Sequence, residues 1–231
     1  MLQSLRTEVC EANLELVRRG LVVYTFGNAS AVWPENGLIV IKPSGVPYDR
    51  MTPADMVVTD MEGRVVEGNL RPSSDMATHA ALYRAFPAIG GVVHTHSRHA
   101  TAWAQALREI PCFGTTHADY FHGPVPITEH LTPEEIETDY EGNTGVAIIR
   151  AMEGRDPLAC PAVLAAGHAP FCWGRTVLAA AHNAVVLEEI AAMAWQTVTI
   201  NPDAKPLPAA QRDKHYFRKH GPKATYGQGG C

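Results

Sequence analysis

The chain has 231 residues, 46% of them hydrophobic and 19% charged, with a formal net charge of -5. That is enough for one substantial core, and the acidic balance with scattered basic residues excludes nucleic acid as the main partner. Cys10, Cys112, Cys160, Cys172 and Cys231 are widely spaced with no Cys-x-x-Cys pair, which excludes a disulfide framework and a thiolate zinc site and fits a reducing cytoplasm.

Leu2, Leu5, Val9, Ala12 and Leu16 recur at helical spacing, so an amphipathic helix opens the chain and ends at Gly20. Glu8, Glu11 and Glu15 fall inside it and interrupt any secretory signal pattern. Short strand-like runs follow at 21–25, 38–41, 56–59 and 65–66, separated by Gly, Pro and Asn turn signals. A helix is expected from Ser74 or Asp75 to Phe86, stopped by Pro87. Residues 90–96 read as a buried strand and 97–107 as a helix with Ser97 at its N-cap. Thr132-Pro-Glu-Glu135 is a capping box with proline at the first helical position.

Further strands are expected at 162–166 and 171–173, then a long apolar helix from Thr176 and a basic helix over 211–220 closed by Gly221. His182, Asn183, Glu188 and Glu189 interrupt the apolar stretch 177–200, which reads as a buried core helix and not as a membrane span. No repeat or long linker divides the chain. The pattern predicts one domain over 1–231, an α/β sandwich with a mainly antiparallel sheet.

The densest chemistry lies in Gly90-Gly-Val-Val-His94-Thr-His96-Ser-Arg-His99. Alternate residues of a strand share a face, so His94 and His96 would stand side by side, about 7 Å apart at Cα. A catalytic metal needs a third protein ligand, and His168 follows another strand-like run. The pattern admits both a metal site and histidines that only satisfy hydrogen bonds. His99, in the first turn of a helix, reads as structural. No nucleotide-binding glycine pattern occurs. Lys42-Pro-Ser44-Gly45 and Pro72-Ser73-Ser74-Asp75 could each hold a phosphate, through a turn and a helix N-terminus, and Gly27-Asn28 carries the same weak signal. Asp119 and Tyr226 are anonymous on spacing alone, although Tyr226 lies in the last six residues, where chains fray unless tied down.

Taken together, Gly27-Asn-Ala-Ser30, Ile41-Lys-Pro-Ser-Gly45, Pro72-Ser-Ser-Asp75, the 92–101 histidine segment, Gly114-Thr-Thr-His-Ala-Asp-Tyr120, Val185-Val-Leu-Glu-Glu189, Asp213-Lys-His-Tyr216, Lys219-His-Gly221 and Tyr226-Gly-Gln228 resemble, in this order, the class II aldolase and epimerase family. The resemblance covers nearly the whole chain and implies a three-layer α/β/α sandwich. It implies zinc, one divalent ion per subunit, held by His94, His96 and His168, with Asp75 as a fourth ligand when substrate is absent. It implies a substrate and phosphate pocket at Gly27, Asn28, Ser44, Gly45, Ser73 and Ser74. Asp119 matches the catalytic carboxylate and Tyr226 the catalytic phenol. His215 matches a further residue of a site shared between subunits of a homotetramer. The implied reaction is the 4-epimerisation of a ketopentose phosphate, with a metal-dependent sugar-phosphate aldolase as the rival. The residues around His168 depart slightly from the family pattern, as does the Gly-Gly-Cys tail. Neither nucleic acid nor a membrane is expected as a partner.

Overall fold

The computed structural model describes residues 2–220 and 224–225. Helix α1 (Leu2–Arg18) leads into strands β1 (Asn28–Trp33), β2 (Leu38–Ile41), β3 (Val57–Asp60) and β4 (Val65–Glu67). Then come α2 (Met76–Ala85), β5 (Gly91–His94), α3 (Arg98–Gln105), α4 (Thr115–Ala118) and α5 (Pro133–Ala151). Strands β6 (Ala162–Leu164) and β7 (Pro170–Gly174) precede α6 (Val177–Ile200) and α7 (Ala209–His220). The strands form one seven-stranded sheet in the order β4-β3-β2-β1-β5-β7-β6. Every neighbouring pair is antiparallel, as the short runs and tight turn signals lead one to expect.

Period-2 alternation divides the sheet's side chains between two cores. Ala29, Ala31, Val40, Val93 and Cys172 pack with Leu16 of α1, Ala100 of α3 and Leu187 of α6. Ile39, Ile41, Val92, Phe171 and Trp173 face the other way, toward Leu82 of α2 and Ile148 of α5. Helices therefore cover both faces, and the fold is the α/β/α sandwich expected. The capping box at the start of α5 is complete: Thr132 N–H donates to Glu135 Oε2 at 2.9 Å and Glu135 N–H to Thr132 Oγ1 at 3.2 Å.

Helix α6 is long and apolar enough to cross a membrane by length and composition, and half of its most apolar window is buried. It lies against β5 and β7, where side chains are missing. A Cβ on Gly91 would sit 2.3 Å from Val177 Cα, so only glycine lets the helix start there.

One strand is displaced from its expected place. Residues 21–25 are not a strand: Tyr24 has φ 55 and, with Val23, is exposed at 85% and 59%. The strand is instead Asn28–Trp33, a central member pairing with β2 and β5. Its Asn28 and Ser30 are buried polar residues, so hydrophobic alternation does not mark it. The short helix α4 also carries too few periodic residues to be read from sequence.

Candidate metal centre and active site

His94 is the last residue of β5 and pairs across to both Asn28 of β1 and Phe171 of β7. Directly opposed residues share a face, so Asn28, His94 and Phe171 line one end of the α2/α5 side of the sheet. His96 lies two residues on and keeps the same side. The β6–β7 turn, entered through Gly167 with φ +67, brings His168 beside them. The ring centroids of His94, His96 and His168 lie 4.9, 4.9 and 5.0 Å apart, and one nitrogen from each falls within 4.8 Å of the others.

The donor set fits a divalent cation. His94 Nδ1 lies 3.0 Å from the Pro170 carbonyl, which can only accept, so the proton is on Nδ1 and Nε2 presents a lone pair. That Nε2 lies 3.0 Å from His96 Nε2, near the roughly 3.3 Å separation of two nitrogens on a tetrahedral zinc. Burial pushes His94 down to about 3, with Asp75 opposing the shift, and burial likewise lowers His96 and His168. All three rings are therefore neutral near pH 7, the form a metal requires. His94 also stacks on Phe171, with ring centroids 4.2 Å apart.

Asp75 stands at the N-cap position of α2 but makes no capping bond there. Its Oδ2 instead accepts from Asn28 Nδ2 at 2.6 Å, which turns the carboxylate toward the histidines. Burial works to raise its pKa, the Asn28 hydrogen bond works to lower it, and the net shift is downward, which keeps the carboxyl ionised.

These groups open into a cleft of about 400 Å³. The structure brings all the sequence-predicted pocket residues to it: Gly27, Asn28, Ser44, Gly45, Ser73 and Ser74, with Asp75, His94, His96 and His168. The two candidate anion loops are tied together, because Ser73 N–H donates to Lys42 O at 3.0 Å and Pro43 bridges Pro72. Lys42 forms part of the wall, 2% exposed, with Nζ donating to Pro43 O at 3.2 Å and lying 4.8 Å from the Tyr48 ring centre. Burial lowers its pKa.

Gly27 has φ +83, and a Cβ there would meet His94 O at 2.8 Å. The His96 turn is held from the other core, where the Glu188 carboxylate accepts from His99 N–H at 2.8 Å and Ala100 N–H at 3.0 Å. Glu188 thereby caps α3, while His99 Nδ1 pairs with the same carboxylate at 2.8 Å, a structural role as expected.

Tyr140 and Glu141 also line the cleft and were not anticipated from sequence. They arrive because α5 breaks at Asp139, whose φ is -162 and ψ 84. Asp139 Oδ1 then accepts from Gly142 N–H at 3.1 Å and caps the resumed helix. Asp139-x-x-Gly142 inside a helical stretch was the available signal.

Asp119 is not in this cleft. It ends α4, where Arg218 Nη2 donates to its Oδ1 at 3.0 Å and Oδ2 at 2.8 Å, and His215 Nδ1 lies 3.0 Å from Oδ1. Burial tends to raise its pKa, but the Arg218 and His215 bonds and the Lys219 charge hold it below the ordinary carboxylate range. Tyr226 and Gly221 lie outside the described residues.

Three neutral imidazoles gathered at the strand ends of a three-layer sandwich form a group able to hold a divalent ion. The class II aldolase and adducin N-terminal domain family matches residues 7–195, and the chain belongs to that family. Among solved structures, it is similar to an L-fuculose 1-phosphate aldolase, with 26% identity and a TM-score of 0.80 over 92% of this chain and 94% of that one. YgbL from Klebsiella pneumoniae has 26% identity and a TM-score of 0.74 over 93% and 98%. YgbL from Escherichia coli has 26% identity and a TM-score of 0.72 over 92% and 98%.

Proposed function

We propose that the protein is a zinc-dependent epimerase that interconverts L-ribulose 5-phosphate and D-xylulose 5-phosphate. The observation that carries this reading is the cleft itself. Three neutral imidazoles and an ionised Asp75 share the cleft with Ser44, Ser73 and Ser74, metal donors and hydroxyl donors within reach of one sugar phosphate.

The chemistry follows from the substrate. A C2 carbonyl acidifies hydrogens on its neighbouring carbons only, so C4 cannot be inverted by removing its hydrogen. Cleaving C3–C4, turning the glycolaldehyde phosphate fragment and re-forming the bond inverts it. A divalent ion, when bound by His94, His96 and His168, supplies the Lewis acidity that stabilises the negative charge left by cleavage. The anion loops retain the aldehyde fragment through its phosphate while it turns.

The C4 hydroxyl loses and regains its proton from opposite sides in the two epimers, so one group per side is required. We assign these roles to Asp119 and Tyr226, with His215 beside Asp119. Since Asp119 lies away from the cleft of its own chain, it would act in the cleft of a neighbouring copy, and the family resemblance makes the working form a homotetramer. We place this single-domain enzyme in the cytoplasm, where its four described cysteines, all free and buried, suit a reducing medium.

The likeness to the L-fuculose 1-phosphate aldolase favours a second reading, a metal-dependent aldolase. By the family resemblance, such aldolases carry a glutamate base where Asp75 stands. Asp75 is one methylene shorter and is tied back to Asn28 at 2.6 Å, which supports epimerisation. The two are separated by incubating metal-quantified protein with L-ribulose 5-phosphate and analysing all products. D-xylulose 5-phosphate without net fragments is expected; accumulation of two fragments would establish the aldolase, and no conversion would remove this substrate.

A further inference from the structure

Strand β1 and helix α2 meet through side chains whose spacings match. Asn28 and Ser30 are two apart on the strand, and Asp75, His79 and Tyr83 are four apart along the helical stretch. Two strand residues advance about 6.6 Å and four helical residues about 6 Å, so the two rows stay in step. Asn28 Nδ2 donates to Asp75 Oδ2 at 2.6 Å, and Ser30 Oγ lies 2.7 Å from His79 Nδ1. Tyr83 closes the series, with its hydroxyl 2.8 Å from Ser30 Oγ and donating to Ser30 O at 2.9 Å.

These groups are deep in the core: Ser30 and His79 are 0% exposed, Asn28 2% and Tyr83 5%. A buried polar row on an otherwise apolar interface costs stability whenever it slips, because every member then loses its partner at once. An apolar interface would tolerate small slides. The His79 ring also stands edge-on to Phe171, 6.2 Å between centroids, and Phe171 stacks on the metal-site ring of His94.

We infer that Ser30, His79 and Tyr83 form a register lock between β1 and α2, and that His79 is a positioning residue which sets Asp75 against the three-histidine centre. The inference rests on the metal-centre reading above and is independent of which sugar phosphate is turned over. Residues bonded directly to a metal ligand, as Asn28 is to Asp75, typically carry about 10–100-fold in metal affinity, and His79 acts on Asp75 through the shared helix.

The test is a cobalt(II) titration of the full-length protein, read by the visible absorption of the bound ion, for wild type, His79→Leu, Ser30→Ala and Asp75→Ala, and for His79→Leu combined with Asp75→Ala. Val9→Ala, in the opposite core, is the control for lost stability without lost register. Expected are roughly tenfold or greater weakening and an altered spectrum in His79→Leu and Ser30→Ala, wild-type binding in Val9→Ala, and no further loss when His79→Leu is added to Asp75→Ala. Should His79→Leu not fold, Ser30→Ala alone and combined with Asp75→Ala carries the comparison. Wild-type affinity and spectrum in folded variants, or losses that add fully to that of Asp75→Ala, would overturn the register lock while leaving the metal centre standing. A wild type that binds no cobalt would overturn the metal centre, and this inference with it.

Discussion

The segment that carries Asp119 is closed by one buried imidazole, and acid should reveal it. His117 is 3% exposed and its Nε2 donates to Gly123 O at 2.8 Å. Burial lowers its pKa from 6.5 to about 4, with the Gly123 bond opposing the shift. Between those two values the unfolded chain binds the proton and the folded chain does not, so stability falls as pH falls. Linkage gives about 2 kcal/mol of lost stability at pH 5 against about 0.2 at pH 7, and the loss levels off near 3 kcal/mol below about pH 4. His117→Gln retains an amide that can reach Gly123 and removes the titration. Urea unfolding of both proteins at pH 7 and pH 5 isolates this one group, because His79 and the other histidines are common to both. Wild type should lose about 2 kcal/mol more than the variant over that interval. Equal losses would refute the argument that burial keeps this ring neutral.

Removing one imidazole of the trio, as in His96→Ala, should abolish stoichiometric zinc, measured by metal analysis, together with turnover; a metal-free variant of normal rate ends the Lewis-acid account. Gly27→Ala should lower stability by at least about 1–2 kcal/mol, since a left-handed φ is combined with a contact on His94 O, and thermal unfolding reads it. Glu188→Ala removes the acceptor for the first amides of α3 and should cost about 1–2 kcal/mol in urea unfolding; an unchanged midpoint would show that water caps this turn as well. Mixing inactive His96→Ala and Asp119→Asn chains should restore part of the activity in verified hybrid oligomers, because the intact metal centre of one copy then meets the intact Asp119 of the other, and no recovery there counts against shared sites.

Features of the chain that depend on neighbours in sequence were open to reading from residues alone. The His94–His96 pair follows from the period of a strand, the start of α5 from Thr132-Pro-Glu-Glu135, and the end of α2 from Pro87, because each is settled within one turn or a few residues. The resemblance extended this to the cleft positions Gly27, Asn28, Ser44, Gly45, Ser73, Ser74, Asp75 and His168, but not to Tyr140 or Glu141, and it could not say how they meet. Strand β1 stayed hidden because Asn28 and Ser30 are polar yet buried, which makes sense only once Asp75, His79 and Tyr83 of a later segment are seen opposite them.

Tertiary structure alone decided which side chains share a space. His168 reaches the pair from a turn more than seventy positions on because β7 lies antiparallel to β5, and Tyr140 and Glu141 enter the cleft because α5 breaks at Asp139. Asp119, matched to the catalytic carboxylate by the resemblance, is held by Arg218 and His215 outside the cleft of its own chain. Local spacing sets direction and capping through short-range sterics and hydrogen bonds, whereas convergence of distant residues depends on sheet order and register, which the packing of both cores selects for the chain as a whole.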